Sequence, residues 1–330
     1  AGTIQSAPVS VAKLDFRFDQ PTSVTEYSIT GGGTAKWEPS NGSTPNKLTL
    51  NGVTMTGDSY VVGVPANTEI ILIGTNKITA TSANALCAHN GTLKIIGDGS
   101  LEVHAPAPNI TDYAIGTNIG GNIDIDITGA LTVNGNIRAN DGTLSLQSRD
   151  AISVTGSVYG KGSITATAGK SLSITNTNGT AVCAFSCTEV SLAAQKGNLT
   201  VSGTGSSDAY GINGSWNKTA LKLHASGNVS VTGTKYSVQG KTLELSGTIP
   251  ENSTLTADGT KPLTVPAGKA LINDGTIKLD KYPGAVTVSG TLTNNGSIVN
   301  SDNAPIQPNV TEGGVITVKA AMDFTGKDTN

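Results

Sequence analysis

This 330-residue chain is short of charge. Asp, Glu, Lys and Arg make up 14% of it, against roughly 25% in an ordinary globular protein. The net charge is −3, and only three arginines occur, Arg17, Arg138 and Arg149. A nucleic-acid partner would want a basic stripe, so that class is excluded, and clamps for anions are scarce. Aromatics are only 4%. Three cysteines, Cys87, Cys183 and Cys187, are too few for a disulfide framework. Cys183 and Cys187 could bridge locally, but buried thiols are the simpler reading. No apolar run approaches the ~18 residues of a membrane span, so no membrane insertion is expected. No segment carries a capped helical stripe either. The first residues, AGTIQSAPVS, have neither the basic nor the apolar region of a signal peptide. The expectation is that any signal peptide has been removed or that the chain is cut from a longer one. The length allows one large or two ordinary domains.

Gly, Thr, Ser and Asn take the place of the missing charge, and they fall into a repeat. KLTLNGVTMTG from Lys47, EIILIGTNKITA from Glu69, TLKIIGDGSLEV from Thr92 and DIDITGALTVNG from Asp124 are versions of one phrase. So are SITATAGKSLSITN from Ser163, ALKLHASGNVSVTG from Ala220 and AVTVSGTLTNNGSIVN from Ala285. Each is an alternating strand, a small-residue turn and a second alternating strand. About eleven such units follow one another, mostly at about 20 to 23 residues and twice at about 31. Alternation with β-branched residues is a strand signal, and short strands at this period fit a parallel β-helix with one coil per repeat. Stacked coils would bring Leu, Ile and Val into contact inside, with Gly and Asn at corners that need positive φ. A two-sheet β-sandwich also gives short strands, but it predicts no lasting similarity between distant repeats.

A third strand per coil is visible in lead-in segments such as NALCAHNG (84–91), DYAIGTNIG (112–120), TAVCAFSC (180–187), DAYGING (208–214) and TKYSVQG (234–240). Three parallel strands per coil imply a right-handed β-helix, the usual hand of parallel crossovers. The expectation is therefore all-β: a single right-handed parallel β-helix of about eleven coils over residues 47–300. An N-terminal cap (1–46) and a C-terminal cap or linker (301–330) would close its ends. The long intervals near 104–122 and 203–220 read as bulging loops, where solenoids tend to place function.

ALCAHNGTLKIIGDGSLEV (85–103) and LTLNGVTMTGDSYVVGVPANTEIILIGTNKIT (48–79) carry a resemblance. They resemble the β-helical carbohydrate-binding domains in surface proteins of Gram-positive anaerobic bacteria, a pectin-lyase-like right-handed β-helix. The resemblance covers about residues 46 to 245 and is written mostly in fold-forming positions. It implies a non-catalytic protein that binds polysaccharide, with acidic sugar held through calcium as one form of that binding. A second stretch, LTVNGNIRANDGTLSLQSRDAISVTGSVYGKGSITATAGKSLSITN (131–176), is similar to filamentous-haemagglutinin-type adhesin repeats. That likeness implies a stalk or adhesin whose partner is a host or cell-surface protein. Both imply a secreted or cell-surface bacterial setting.

Signatures of the pectinase-type enzymes are missing: no Asn-Thr-Asp, no Asp-Asp, no Gly-His-Gly and no Arg-Ile-Lys. The expectation is thus no enzyme, with a polyuronide lyase or hydrolase as the remaining alternative. Asp124 and Asp126 share one strand face by alternation and are the candidate calcium ligands, against a plain solvated face. Asp98, in a Gly-Asp-Gly turn, reads as a corner residue. His89, His104 and His224 sit in separate repeats and read as non-catalytic. Trp216, Tyr210 and Tyr113, all near the long intervals, are the candidate sugar-stacking rings, with Tyr159 and Tyr236 extending the strip. Trp37 reads as structural.

Overall fold

The computed structural model describes residues 9–106, 112–184, 186–215, 217–258, 263–280 and 286–318. They hold strands and turns, with no helix among the described residues, and so none long and apolar enough to cross a membrane. The chain falls into two compact units, residues 1–159 and 160–330. Each is a stack of parallel β-solenoid turns, about eleven turns in all. Most turns run through three strands in chain order, as in Thr68–Ile73, Thr75–Ala80 and Leu86–His89, while Ala220–Gly233 and Thr242–Ile249 each serve two sheets as one continuous strand. Equivalent strands of successive turns pair in parallel, which builds three sheets per unit.

The register explains the alternation. In the first unit Leu48, Ile70, Ile95, Ile125 and Leu146 are partners from turn to turn and form a continuous aliphatic ladder. All five are at most 1% exposed. In the second unit Ile164, Val190, Leu221, Leu243, Leu263 and Val286 form the matching ladder. A single turn could not bury these faces; the next turn does so, and the ladder hydrogen bonds satisfy the backbone. The corners go to residues that tolerate positive φ, such as Asn90 (57°) and Gly97 (126°).

Some inward positions are polar and are paired. Asn76 is fully buried; its Oδ1 accepts the Val53 N–H at 3.1 Å, and its Nδ2 donates to the Ile73 and Gly74 carbonyls at 3.1 and 3.3 Å. Replacing Asn76 with Ala strands those groups away from water. We expect a loss of about 2–4 kcal/mol, since each orphaned buried group costs roughly 1–3. Urea unfolding of the variant reads this directly. In the second unit Asn273 Nδ2 donates to Asn294 Oδ1 at 2.7 Å, a similar interior pairing one turn on.

At the N-terminal end the hairpin Thr25–Ile29 and Thr34–Glu38 lies antiparallel, and its second strand pairs antiparallel with Asn46–Asn51, which stacks in parallel on Thr68–Ile73 of the next turn. Trp37 is fully buried there, donates from Nε1 to the Pro21 carbonyl at 2.9 Å and packs on Phe16 at 4.7 Å. In the second unit Asn309–Val310 and Val315–Val318 still pair in parallel with the preceding turn. Residues 319–330 lie outside the described residues.

Candidate functional site

The third sheet of the first unit consists of Leu14–Asp15, Val62–Pro65, Leu86–His89, Ile115–Thr117, Ile137–Arg138 and Val158–Tyr159. Leu14, Val62, Leu86, Ile115, Ile137 and Val158 are in register and face the core. The next residue of each strand therefore faces outward, giving the row Asp15, Gly63, Cys87, Gly116, Arg138 and Tyr159. This row holds two of the chain's three arginines within reach, because Arg17 reaches back over it.

The glycines of the row are occupied space. A Cβ on Gly63 would lie 2.5 Å from Asp15 Oδ1 and 2.9 Å from Arg17 Cγ. A Cβ on Gly116 would lie 2.5 Å from the Tyr113 ring. Arg17 and Tyr113 thus lie across the sheet, and Cys87 between them is buried although it points outward. Burial pushes the Cys87 thiol up to about 11, so at neutral pH it is a packed group rather than a nucleophile. Cys183 and Cys187 are likewise buried.

Arg17 is fixed from two sides. Its Nε and Nη2 meet Asp15 Oδ1 and Oδ2 at 2.7 and 2.8 Å, a bidentate pair. Its guanidinium stacks 3.6 Å from the Tyr60 ring centroid. Burial raises the Asp15 carboxyl, but hydrogen bonds and charge from Arg17 outweigh it and hold the group below its ordinary value. Tyr60 has a φ of 51°, a left-handed backbone that a bulky residue rarely adopts. Its hydroxyl accepts from Asn84 Nδ2 at 3.1 Å, and Asn84 Oδ1 in turn accepts the Tyr113 N–H at 2.9 Å. The Tyr113 hydroxyl donates to Asn118. Further along the row, Arg138 stacks 4.9 Å from the Tyr159 ring.

Beside this locked cluster stands one ring that is open to solvent. Phe18 is 74% exposed, yet it meets His89 edge-on at 4.7 Å and receives the Arg17 guanidinium at 5.3 Å. The described strand there ends at Asp15, and Phe18 follows in a bend.

Tyr113 and Tyr210 are 5% and 7% exposed. They offer solvent an edge at most, not a ring face. Tyr210 stacks on Tyr236 at 6.0 Å in the second unit, and the Tyr236 hydroxyl donates to Asp280 at 2.6 Å. Trp216 lies outside the described residues. Asp124 and Asp126 do share a half-buried outward face, with Ile125 between them buried. Asp126 is 3.2 Å from Arg149, and Asp124 lies opposite Lys94 in the neighbouring strand. Calcium wants six to eight oxygens, whereas this pair brings two carboxylates, each beside a cation, so the donor set fits calcium poorly. Among the described residues no group of three or more His, Cys, Asp or Glu side chains is placed to hold a metal ion. Asp98 occupies a corner and accepts from the Thr128 hydroxyl at 3.0 Å.

The chain is a β-solenoid; comparison with protein-family models, with curated proteins and with solved structures finds no match to it.

Proposed function

We propose that this chain is a carbohydrate-binding or adhesive solenoid, carried on or released from a bacterial cell as part of a longer surface protein. Its first unit would hold polysaccharide against the outer face of the third sheet. Phe18 carries this reading: an aromatic ring 74% exposed to water, yet braced by Arg17 and His89. A ring already fixed loses little freedom on binding. Its apolar face suits the C–H face of a pyranose, and the polar groups beside it suit the sugar hydroxyls. Arg17 is already neutralised by Asp15, so stacking and hydrogen bonding would hold the ligand, and no bond in it needs to break at this face. The same reasoning makes binding independent of calcium.

Retention on a panel of plant and microbial polysaccharides, polyuronides included, tests this, with calcium and with chelator. Micromolar retention unaffected by chelator is expected. Phe18→Ala should weaken it at least about tenfold, the loss of one stacking contact of ~1.4 kcal/mol. An exposed ring contributes little to folding, so the melting temperature should stay within about 1–2 °C. Binding to protein and to no glycan would overturn this reading in favour of a protein-binding stalk. Release of unsaturated or reducing ends would favour a polyuronide lyase or hydrolase.

A further inference from the structure

The second unit carries a second arrangement, on a different sheet. Strands Ala220–Gly233 and Thr242–Ile249 pair in parallel, which sets Lys222 opposite Glu244 and His224 opposite Ser246. Leu221, Leu223, Leu243 and Leu245 fill the inward positions between them, so all four polar side chains stand on the outer face. His224 Nδ1 is 2.8 Å from Ser246 Oγ, and His224 Nε2 is 3.0 Å from Glu244 Oε1. The three groups form one line: serine hydroxyl, imidazole, carboxylate.

The protonation follows from the partners. Glu244 accepts only, so Nε2 carries the ring proton and Nδ1 is left as an acceptor for the Ser246 hydroxyl. Burial lowers the basicity of His224; Glu244 opposes this, and Lys269 and Lys222 reinforce it. The ring is therefore neutral at neutral pH, with its free lone pair on the serine. Such a line is the geometry in which a serine oxygen becomes a nucleophile.

It also lies beside space for a substrate. An open groove of about 540 Å³ is lined by His224, Ser246, Ala193, Ala225, Gly247 and Lys269 among others. Its walls are largely small residues, which suits a short acyl chain. Lys269 brings a positive charge to the groove, which favours the negative charge of a tetrahedral adduct.

We propose that Ser246, His224 and Glu244 constitute a hydrolytic site for short-chain acyl esters of hydroxylated compounds. Ser246 Oγ attacks the acyl carbon while its proton passes to His224 Nδ1. The carbon–alkoxy bond breaks, and the leaving alcohol takes that proton. Water then attacks the acyl-serine, gives a proton to Nδ1, and the carbon–Oγ bond breaks with the proton returning to Oγ. The products are an alcohol and a carboxylic acid, with no oxidant or cofactor required. Ser246 is the nucleophile, His224 the general base, and Glu244 a positioning residue that holds the tautomer. This role would revise the sequence-based expectation that the chain is no enzyme, and it does not depend on glycan binding by the first unit.

The test is hydrolysis of 4-nitrophenyl acetate by the full chain, with 4-nitrophenyl octanoate for comparison, and peptide mapping after treatment with a fluorophosphonate. Expected are saturable turnover of the acetate over the octanoate and an adduct on Ser246. Ser246→Ala and His224→Ala should lower the rate at least about 100-fold, the scale of a lost general base. Glu244→Gln should lower it less and change the pH profile, which in the unaltered chain rises to a plateau by neutral pH. A rate in the unaltered chain equal to that of Ser246→Ala, or no adduct on Ser246, overturns the proposal. The labelling uses the unaltered chain, so it decides the matter even where a variant fails to fold.

Discussion

Ile125→Asp is expected to unfold the first unit at neutral pH and to spare it partly in acid. Ile125 lies inside the ladder that runs Leu48, Ile70, Ile95, Ile125, Leu146, with a partner on either side, and it is fully buried. Its neighbours Asp124 and Asp126 are tolerated because alternation turns them outward. The same carboxylate one position away would point into an aliphatic interior with no cation or donor in reach. An unpaired buried charge costs several kcal/mol, a large part of the ~5–15 kcal/mol that holds a domain together. The lost ladder contacts of isoleucine add about 2–5 kcal/mol. The introduced group avoids part of this by staying protonated, so its folded pKa is raised above the ~3.9 of the unfolded chain. A raised acid pKa means that stability is retained below about pH 4 and lost as pH rises through the folded value. Melting at pH 3.5 and pH 7 would show the variant less stable at the higher pH relative to the unaltered chain. Ile125→Asn, with no titratable group, should show a similar deficit at both. Equal stability of Ile125→Asp and the unaltered chain at pH 7 would overturn the inside–outside assignment.

Trp37→Ala is expected to cost about 3–5 kcal/mol, the range for removing a large buried aromatic. Trp37 is opposite Leu48 in the antiparallel pairing and touches Phe16, so its loss opens a cavity at the end of the first unit's core. The second consequence concerns association. The hairpin strand Thr34–Glu38 occupies the edge of Asn46–Asn51 that would otherwise offer unpaired backbone groups. A loosened hairpin exposes that edge, and an exposed parallel-stacking edge is a template for another chain. Light scattering at rising concentration should show association by Trp37→Ala that the unaltered chain does not show. Trp37→Phe keeps most of the volume but loses the Nε1 bond to Pro21, so it should cost less and remain unassociated. A monomeric Trp37→Ala of unchanged stability would show that the hairpin does not protect this end.

The period of the sequence made the turns legible. Alternation in EIILIG and TLKIIG told which residues face inward, and the register of Ile70 with Ile95 follows from nothing more than equal spacing within each repeat. The lead-in segments around Cys87, Ile115 and Tyr210 were legible as third strands for the same reason. That Asp124 and Asp126 share a face is likewise a local fact.

What stacks on what from turn to turn was not local. Arg149 reaches Asp126 across 23 residues, and Lys94 lies beside Asp124 across a turn of different length. Tyr113 stood out as an aromatic in a loop, but Gly116 leaves a space that its ring fills, so it is packed instead of displayed. Phe18 drew no attention in sequence, because its distinction is to be exposed and braced at once. The three histidines looked isolated in their separate repeats. Yet His224 and Ser246 are 22 residues apart, one turn of this solenoid, and so become neighbours only when one turn is laid on the next. The sequence by itself determined the strand pattern, because side-chain alternation is a property of a single extended chain. The tertiary structure alone decided which side chains of successive turns meet at the proposed sites, because that depends on the register between turns.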